Sequence, residues 1–255
     1  MRAAAIVLLG LVLALGLAWG ERALEVITPL ASAVPSLDAP LGRDHLGRDV
    51  LARLVVGAWA FVTPGALACG VALGIGVPIG AAAGWFGGLV AAGQRALTAS
   101  VESVPTLGLV CLGAAIFGPS PQVLGALAGL AWAPRVAEAV RARLESLRQA
   151  ELVLALEAHG VSPWRVLTHH LLWVGCRGLL LRQALTLFAA VLTLETTLSY
   201  LGDLGVAEPT PSWGNMLSFE WGIDGNPWAA AAPALTLWIT CVALAWLNEP
   251  EGRRG

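Results

Sequence analysis

The 255-residue sequence contains no lysine; all fifteen of its basic residues are arginine. A nucleotide-binding P-loop needs a lysine at the phosphates, so if ATP serves this chain, another chain binds it. Charge of either sign is scarce. Charged residues make up 13% of the sequence and hydrophobic ones 57%, whereas a soluble domain carries about 25% charged residues. The formal net charge of −2 argues against a nucleic-acid partner. Cysteine is sparse: Cys69, Cys111, Cys176 and Cys241 lie far apart, mostly in apolar runs, and no pair has metal-ligand spacing. They read as small apolar packing residues. His169 and His170 are adjacent, so on a helix they point about 100° apart, and no third ligand is near in sequence; no metal site is expected. No Ser-His-Asp or paired-carboxylate spacing is present either, and the sequence gives no support to catalysis.

What remains is apolar and helical in pattern. Long uncharged runs point to an all-α polytopic membrane protein. A first transmembrane helix is expected over 1–20, read as an uncleaved span because no clean cleavage site follows it and more spans do. An external region and elbow follow over 21–60, with a helical elbow near 46–60. Residues 54–94 carry no charge, which is too long for one span of about 20 residues. That run divides into a span near 61–83 and a turn at Gly84–Gly88. Its glycines form two rows, Gly70/Gly74 and Gly76/Gly80/Gly84, that permit close helix contact. Further spans are expected near 96–117, 122–137, 178–200 and 227–247, the one at 122–137 running into a polar helical tract. Residues 61–247 would thus hold a five-helix core with a polar loop at about 145–175, followed by a tail over 248–255.

Arginine distribution orients the chain. Seven arginines fall between 135 and 182, and none between 202 and 226, where Asp203, Glu208, Glu220 and Asp224 stand. The first region should be cytoplasmic and the second external, which puts both termini of a six-span chain inside. The four arginines of 20–53 run against this rule and are offset by five acids there.

The stretch "ELVLALEAHGVSPWRVLTHHLL" (151–172) breaks the apolar pattern. Gly160 is a plausible helix stop; Ser162 suits a following N-cap and Pro163 a first helical position. A helix, a sharp turn and a second helix are expected. Such an element suits docking to a cytoplasmic partner or lying on lipid headgroups; spacing alone does not choose. Glu102 and Glu195 are acids inside or near spans, hence translocation-path candidates.

Four segments together resemble the inner-membrane permease subunits of bacterial ABC importers of the dipeptide/oligopeptide/nickel type, in particular the "C" partner of their permease pair. They are "APLGRDHLGRDVLARLVVGA" (39–58), "WAPRVAEAVRARLESLRQAELVLALEAHGVSPWRVLTHHLL" (132–172), "LETTLSYLGDLGVAEPTPSWGNML" (194–217) and "LNEPEGRR" near the end. The resemblance implies a type I importer permease fold. It implies a homologous permease partner, two ATPase domains that hold ATP and magnesium, an extracytoplasmic substrate-binding protein, and a multi-pass place in the bacterial inner membrane. This chain itself would bind no cofactor. The loop becomes an ATPase-coupling loop carried by Glu151, Ala155, Glu157, Gly160, Ser162, Pro163, Trp164 and Arg165. Pro209, Pro211, Trp213 and Gly214 fall in the loop expected to face the binding protein. Cargo would be peptides or a metal chelate. The coupling motif departs from its family's form, with Leu154 at the signature glutamate, Leu156 at the second alanine and Trp173 at the proline of the loop. A permease-like scaffold with weakened ATPase coupling is the alternative reading. A secondary transporter or a polytopic enzyme has less support, for want of a visible repeat or a polar catalytic cluster.

Overall fold

The computed structural model describes residues 14–148, 153, 156, 159–202, 204–219 and 226–249. These residues form α-helices without a β-strand; a single isolated bridge pairs Arg43 with Asp49. After helical residues 14–18 come a short α1 (Gly20–Leu24) and an irregular strap, then α2 (Val50–Gly57) and α3 (Trp59–Phe86). Next follow α4 (Gly88–Glu102), α5 (Thr106–Phe117) and α6 (Pro121–Arg148). The long α7 (Pro163–Tyr200), the short α8 (Trp213–Phe219) and α9 (Trp228–Asn248) complete the fold.

Among the described residues, four stretches are long and apolar enough to cross a bilayer: Val50–Phe86, Pro121–Arg148, Pro163–Tyr200 and Trp228–Asn248. The α4–α5 pair, bent by 73°, makes a fifth if it counts as one broken span. Most of the expected first span, residues 1–13, lies outside the described residues, as do 250–255 of the expected tail.

Helices α3 and α6 form the central pair, and glycine sets their distance. A Cβ on Gly76 would fall 2.6 Å from the carbonyl of Ala133, and one on Gly129 2.7 Å from that of Ala68. Gly80 backs onto Ala137, Gly84 onto Arg141 and Leu144, and Gly125 onto Pro64. Backbones this close leave no room for any side chain, so the Gly76/Gly80/Gly84 row is an intramolecular packing seam. Gly70 and Gly74 meet nothing within 4 Å. Both helices advance in the same direction along this seam, so the chain between them must cross back. It does so through α4 and α5, which descend α6: Thr98 bonds the carbonyl of Pro134 (3.3 Å), Glu102 pairs with Arg135 (3.0 Å) and Gly113 abuts Leu127.

That return crossing differs from the single helix expected near 96–117. Pro105 disfavours helical backbone at Val104, and Ser103–Pro105 interrupt the segment. Upstream, α4 starts at Gly88, directly after the α3 stop, where Gly87 and Gly88 both take positive φ (65° and 51°). The fifth span also differs, beginning fifteen residues before 178, at Pro163. Its first stretch, Val166–Gly175, is wound as a wider π-helix. Trp173 keeps the backbone N–H that proline would lack, and the helix passes through without a break.

Two apolar clusters fill the interior. One joins α3, α6 and α7 through Ala68, Ala72, Val136, Val140, Leu144, Leu187 and Val191. The other joins α2, α8 and α9 to the start of α3 through Val50, Leu54, Phe61, Trp213, Met216 and Ala232. The bundle consequently has two distinct ends. One gathers the strap, α2 and the loop before α8; the other gathers the α3–α4 turn and the loop between α6 and α7.

Candidate functional site

At the α6–α7 end, arginines fasten helix ends to one another. Arg148 donates to the carbonyls of Gly84 and Trp85 and stacks over the Trp85 ring (5.0 Å), capping the C-terminus of α3. Arg143 reaches the Gly175 carbonyl (3.3 Å). Between α6 and α7, Gly160 takes φ +76°, and the Val161 amide donates to the Leu156 carbonyl (3.1 Å). This is the six-to-one bond of a Schellman stop, with Leu156 and Val161 packed against the main core. Ser162 then turns extended (φ −63°, ψ 141°), its carbonyl accepts from Arg165 and Val166, and Pro163 opens α7. The expected stop and restart are both present. Ser162 restarts the helix through its carbonyl, since its hydroxyl makes no capping bond.

Trp164, 73% exposed, and Arg165 project from this restart beside an open concavity of about 540 Å³. Ser162, Thr168, His169 and His170 share its wall, the two imidazoles edge to face at 4.9 Å. Trp173 is exposed farther along α7. Glu151, Leu154, Ala155 and Glu157 lie outside the described residues.

The opposite end is knotted by charge. Asp44 accepts from the amides of Leu46 and Arg48 (both 2.9 Å) and from Arg48 Nε (2.7 Å). Asp49 caps α2 by accepting from Leu51 and Ala52 (2.9 and 3.1 Å), and Arg22 holds its other oxygen at 2.7 Å. Arg48 and Arg53, both buried, converge on Glu208 from the distant loop; the Arg53–Glu208 contact is 2.7 Å. The doubled "LGRDHLGRD" is therefore a set of caps and ion pairs that tie the strap to the loop before α8. Local pattern does not show that this element and Glu208 meet, since they lie about 160 residues apart.

Within that loop, Trp213 donates its indole N–H to the Leu54 carbonyl (2.8 Å) and packs on Phe61 (4.8 Å between rings). Gly214 sits where a Cβ would strike the Thr196 carbonyl and Ser199. Asn215 bonds the carbonyls of Val206 and Thr210 and the amide of Ser212, closing the loop on itself. Of the four residues expected to face a binding protein, Pro211, Trp213 and Gly214 are buried in this chain's own packing, and Pro209 is exposed beside Thr210. Trp213 serves as an inward staple here because its ring has an apolar slot and its N–H an unpaired carbonyl at the end of α2.

The two acids have different settings. Glu195 is 2% exposed and accepts from Ser199 Oγ (2.7 Å), whose oxygen in turn accepts from the Val206 amide (2.8 Å). In this conformation it braces the loop. Glu102 is exposed and paired with Arg135. No group of three or more His, Cys, Asp and Glu that could hold a metal occurs among the described residues.

Against known proteins, the family model described as "Binding-protein-dependent transport system inner membrane component" matches residues 76–249. The oligopeptide transport system permease protein OppC of Bacillus subtilis is 33% identical over 217 residues, covering 82% of this chain and 68% of the relative. The dipeptide transport system permease protein DppC of Alkalihalophilus pseudofirmus is 28% identical over 216 residues, 84% of this chain and 70% of the relative. Among solved structures, the inward-facing MetNI methionine ABC transporter aligns with a TM-score of 0.55 at 17% identity, over 77% of this chain and 93% of that one. At that identity the likeness concerns the fold alone.

Proposed function

The chain belongs to the family of binding-protein-dependent transport system inner membrane components, and from that premise we propose how it works within its importer. It is a permease subunit of an ABC importer. In our reading it crosses the bacterial inner membrane six times with both termini in the cytoplasm. It pairs with a homologous permease to enclose the translocation path, takes its cargo from an extracytoplasmic binding protein, and is driven by two ATPase domains that bind ATP and magnesium. Peptides are the favoured cargo and a metal chelate the alternative; the names of the relatives support the first.

The observation that carries the mechanism is the stop at Gly160 and restart at Pro163, at the end of the bundle where Arg143 and Arg148 also lie. A helix pair broken there rests on the bundle through Leu156 and Val161 while Trp164 stays exposed, and arginine enrichment supports a cytoplasmic address for that end. Closure of the ATPases would press on this loop, and α7, continuous from Pro163 to Tyr200, would carry the motion to the far end as a rigid lever. Rocking of rigid helices about a central path is a general transporter strategy. The external loop before α8 would then meet the binding protein through its exposed Pro209 and Thr210.

Leu154 stands where the family's coupling glutamate is expected, which favours the weakly coupled alternative unless another carboxylate acts for it. Glu157, one helical turn along, is our candidate. Transport-coupled ATP hydrolysis of the reconstituted importer should fall severalfold in Glu157→Ala and rise in Leu154→Glu. If neither substitution changes it, Glu157 does not take that role; if the ATPase does not co-purify at all, the chain is a scaffold.

A further inference from the structure

The α4–α5 break carries a charged feature that the apolar layer should not tolerate against lipid. Arg135 follows Ala133 and precedes Ala137, which back onto Gly76 and Gly80 of α3. It therefore stands at the level of residues 76–80 of a helix that bears no charge and runs on to Phe86, about 9 Å farther at 1.5 Å per residue. At this level Arg135 Nε meets Glu102 Oε1 at 3.0 Å, with 38% and 41% of the two side chains exposed. Next to the pair, Ser103, Val104 and Pro105 are exposed and belong to no helix, their two amides bonding back to the carbonyls of Ala99 and Val101. Lipid-facing positions admit neither: an ionised side chain there is costly, and irregular backbone at membrane depth occurs only where protein or water covers it.

Spare bonding capacity indicates which cover is present. Glu102 uses one of its two carboxylate oxygens. The Arg135 guanidinium, apart from Nε, rests only against the Trp132 ring, 4.5 Å from its centroid. Among the described residues no other partner reaches either group. A dry subunit interface would strand one carboxylate oxygen and two guanidinium nitrogens, at a penalty for each; water, or a ligand bearing both charges, satisfies them.

We infer that the α4–α5 break, Glu102 and Arg135 line the aqueous passage, and that the pair opens to take a zwitterionic cargo, Arg135 binding its carboxylate and Glu102 its ammonium group. This rests on the permease reading above and adds to it the residues that contact the cargo. Discontinuous helices with charged groups beside the break are a recurrent way to build a substrate site within a membrane.

Two measurements on the full importer in membrane vesicles test this separately. The first is labelling of Val104→Cys with a membrane-impermeant methanethiosulfonate, in a background without native cysteine, against Ile239→Cys on the exposed apolar face of α9. Rapid reaction at 104 with none at 239 is expected; no reaction at 104 shows the face to be covered by protein or lipid and overturns the inference. The second is uptake of a radiolabelled dipeptide by Glu102→Gln, Arg135→Gln and the reversed pair Glu102→Arg/Arg135→Glu. The single variants should raise KM at least tenfold, and the reversed pair, which keeps the ion pair for folding, should recover part of that loss. N-acetylated dipeptide should be insensitive to Glu102→Gln, and C-amidated dipeptide to Arg135→Gln. Unchanged KM in both single variants overturns the cargo role even if residue 104 is wet. Absence of dipeptide uptake by the unmodified importer defeats the peptide cargo and the charge-reading role together, and leaves the labelling result to stand on its own.

Discussion

Glu208→Ala should destabilise the strap end of the bundle by an amount the geometry allows to be worked out. Asp44, Arg48, Arg53 and Glu208 form a closed group of two acids and two arginines with no net charge. Arg53 holds Glu208 at 2.7 Å but reaches Asp44 only at 3.5 Å, whereas Arg48 keeps a 2.7 Å contact to Asp44. Removing the Glu208 carboxylate leaves both arginines, 3% and 1% exposed at their side chains, sharing one acid, with one positive charge uncompensated. Breaking a buried ion pair from one side costs about 3–5 kcal/mol. Glu208 is itself 27% exposed, so water reaches its site and screens part of the effect; the lower end, about 3 kcal/mol, is expected. For a chain of this size that lowers Tm by about 6–12 °C. Thermal unfolding of the purified protein in detergent, followed by tryptophan fluorescence, measures it. The double variant Arg53→Met/Glu208→Met removes both charges, keeps the neutral Asp44–Arg48 pair, and should recover most of the loss. A Tm for Glu208→Ala within 2 °C of the parent, on the scale of about 2–4 °C per kcal/mol, would refute the reasoning. So would a double variant no more stable than the single one.

Three further outcomes follow from local geometry. Gly76→Val should abolish correct α3–α6 packing, because a Cβ there falls 2.6 Å from the Ala133 carbonyl, whereas Gly74→Ala, open on all sides, should leave the yield of folded protein unchanged. Trp213→Phe should lower stability by about 1–2 kcal/mol by stranding the Leu54 carbonyl, and Trp213→Ala by about 3–5 kcal/mol through the cavity it leaves, both read by detergent denaturation. Gly160→Ala should cost about 1 kcal/mol from its positive φ, and should reduce ATPase co-purification more than it lowers Tm.

Local chemistry made much of the α6–α7 loop legible in advance. A helix stop at Gly160 and a start at Ser162-Pro163 depend on backbone preferences of adjacent residues, and both appear where expected. The break at Pro105 was written in the same alphabet, but the apolar run of 96–117 concealed it: hydropathy averages over a window and cannot register a 73° bend. Glycine rows were visible without their partners. Gly70/Gly74 and Gly76/Gly80/Gly84 have the same spacing, and only the second is covered by α6. Trp213 and its neighbouring prolines suggested a partner-facing loop. The indole instead turns inward because α2, more than 150 residues earlier in the chain, presents it with the Leu54 carbonyl.

Composition and short-range pattern were enough to establish a helical membrane chain with a broken polar loop at one end of its bundle. These follow from solvent preference and backbone geometry, which act within a few residues. Which charges meet was decided only by the tertiary structure: Arg48 and Arg53 with Glu208 across 155 to 160 residues, and Arg135 with Glu102 beside an interrupted helix. An ion pair depends on distance in space, and that distance exists only after α3 and α6 have closed on their glycines and the α4–α5 return has been folded back along them.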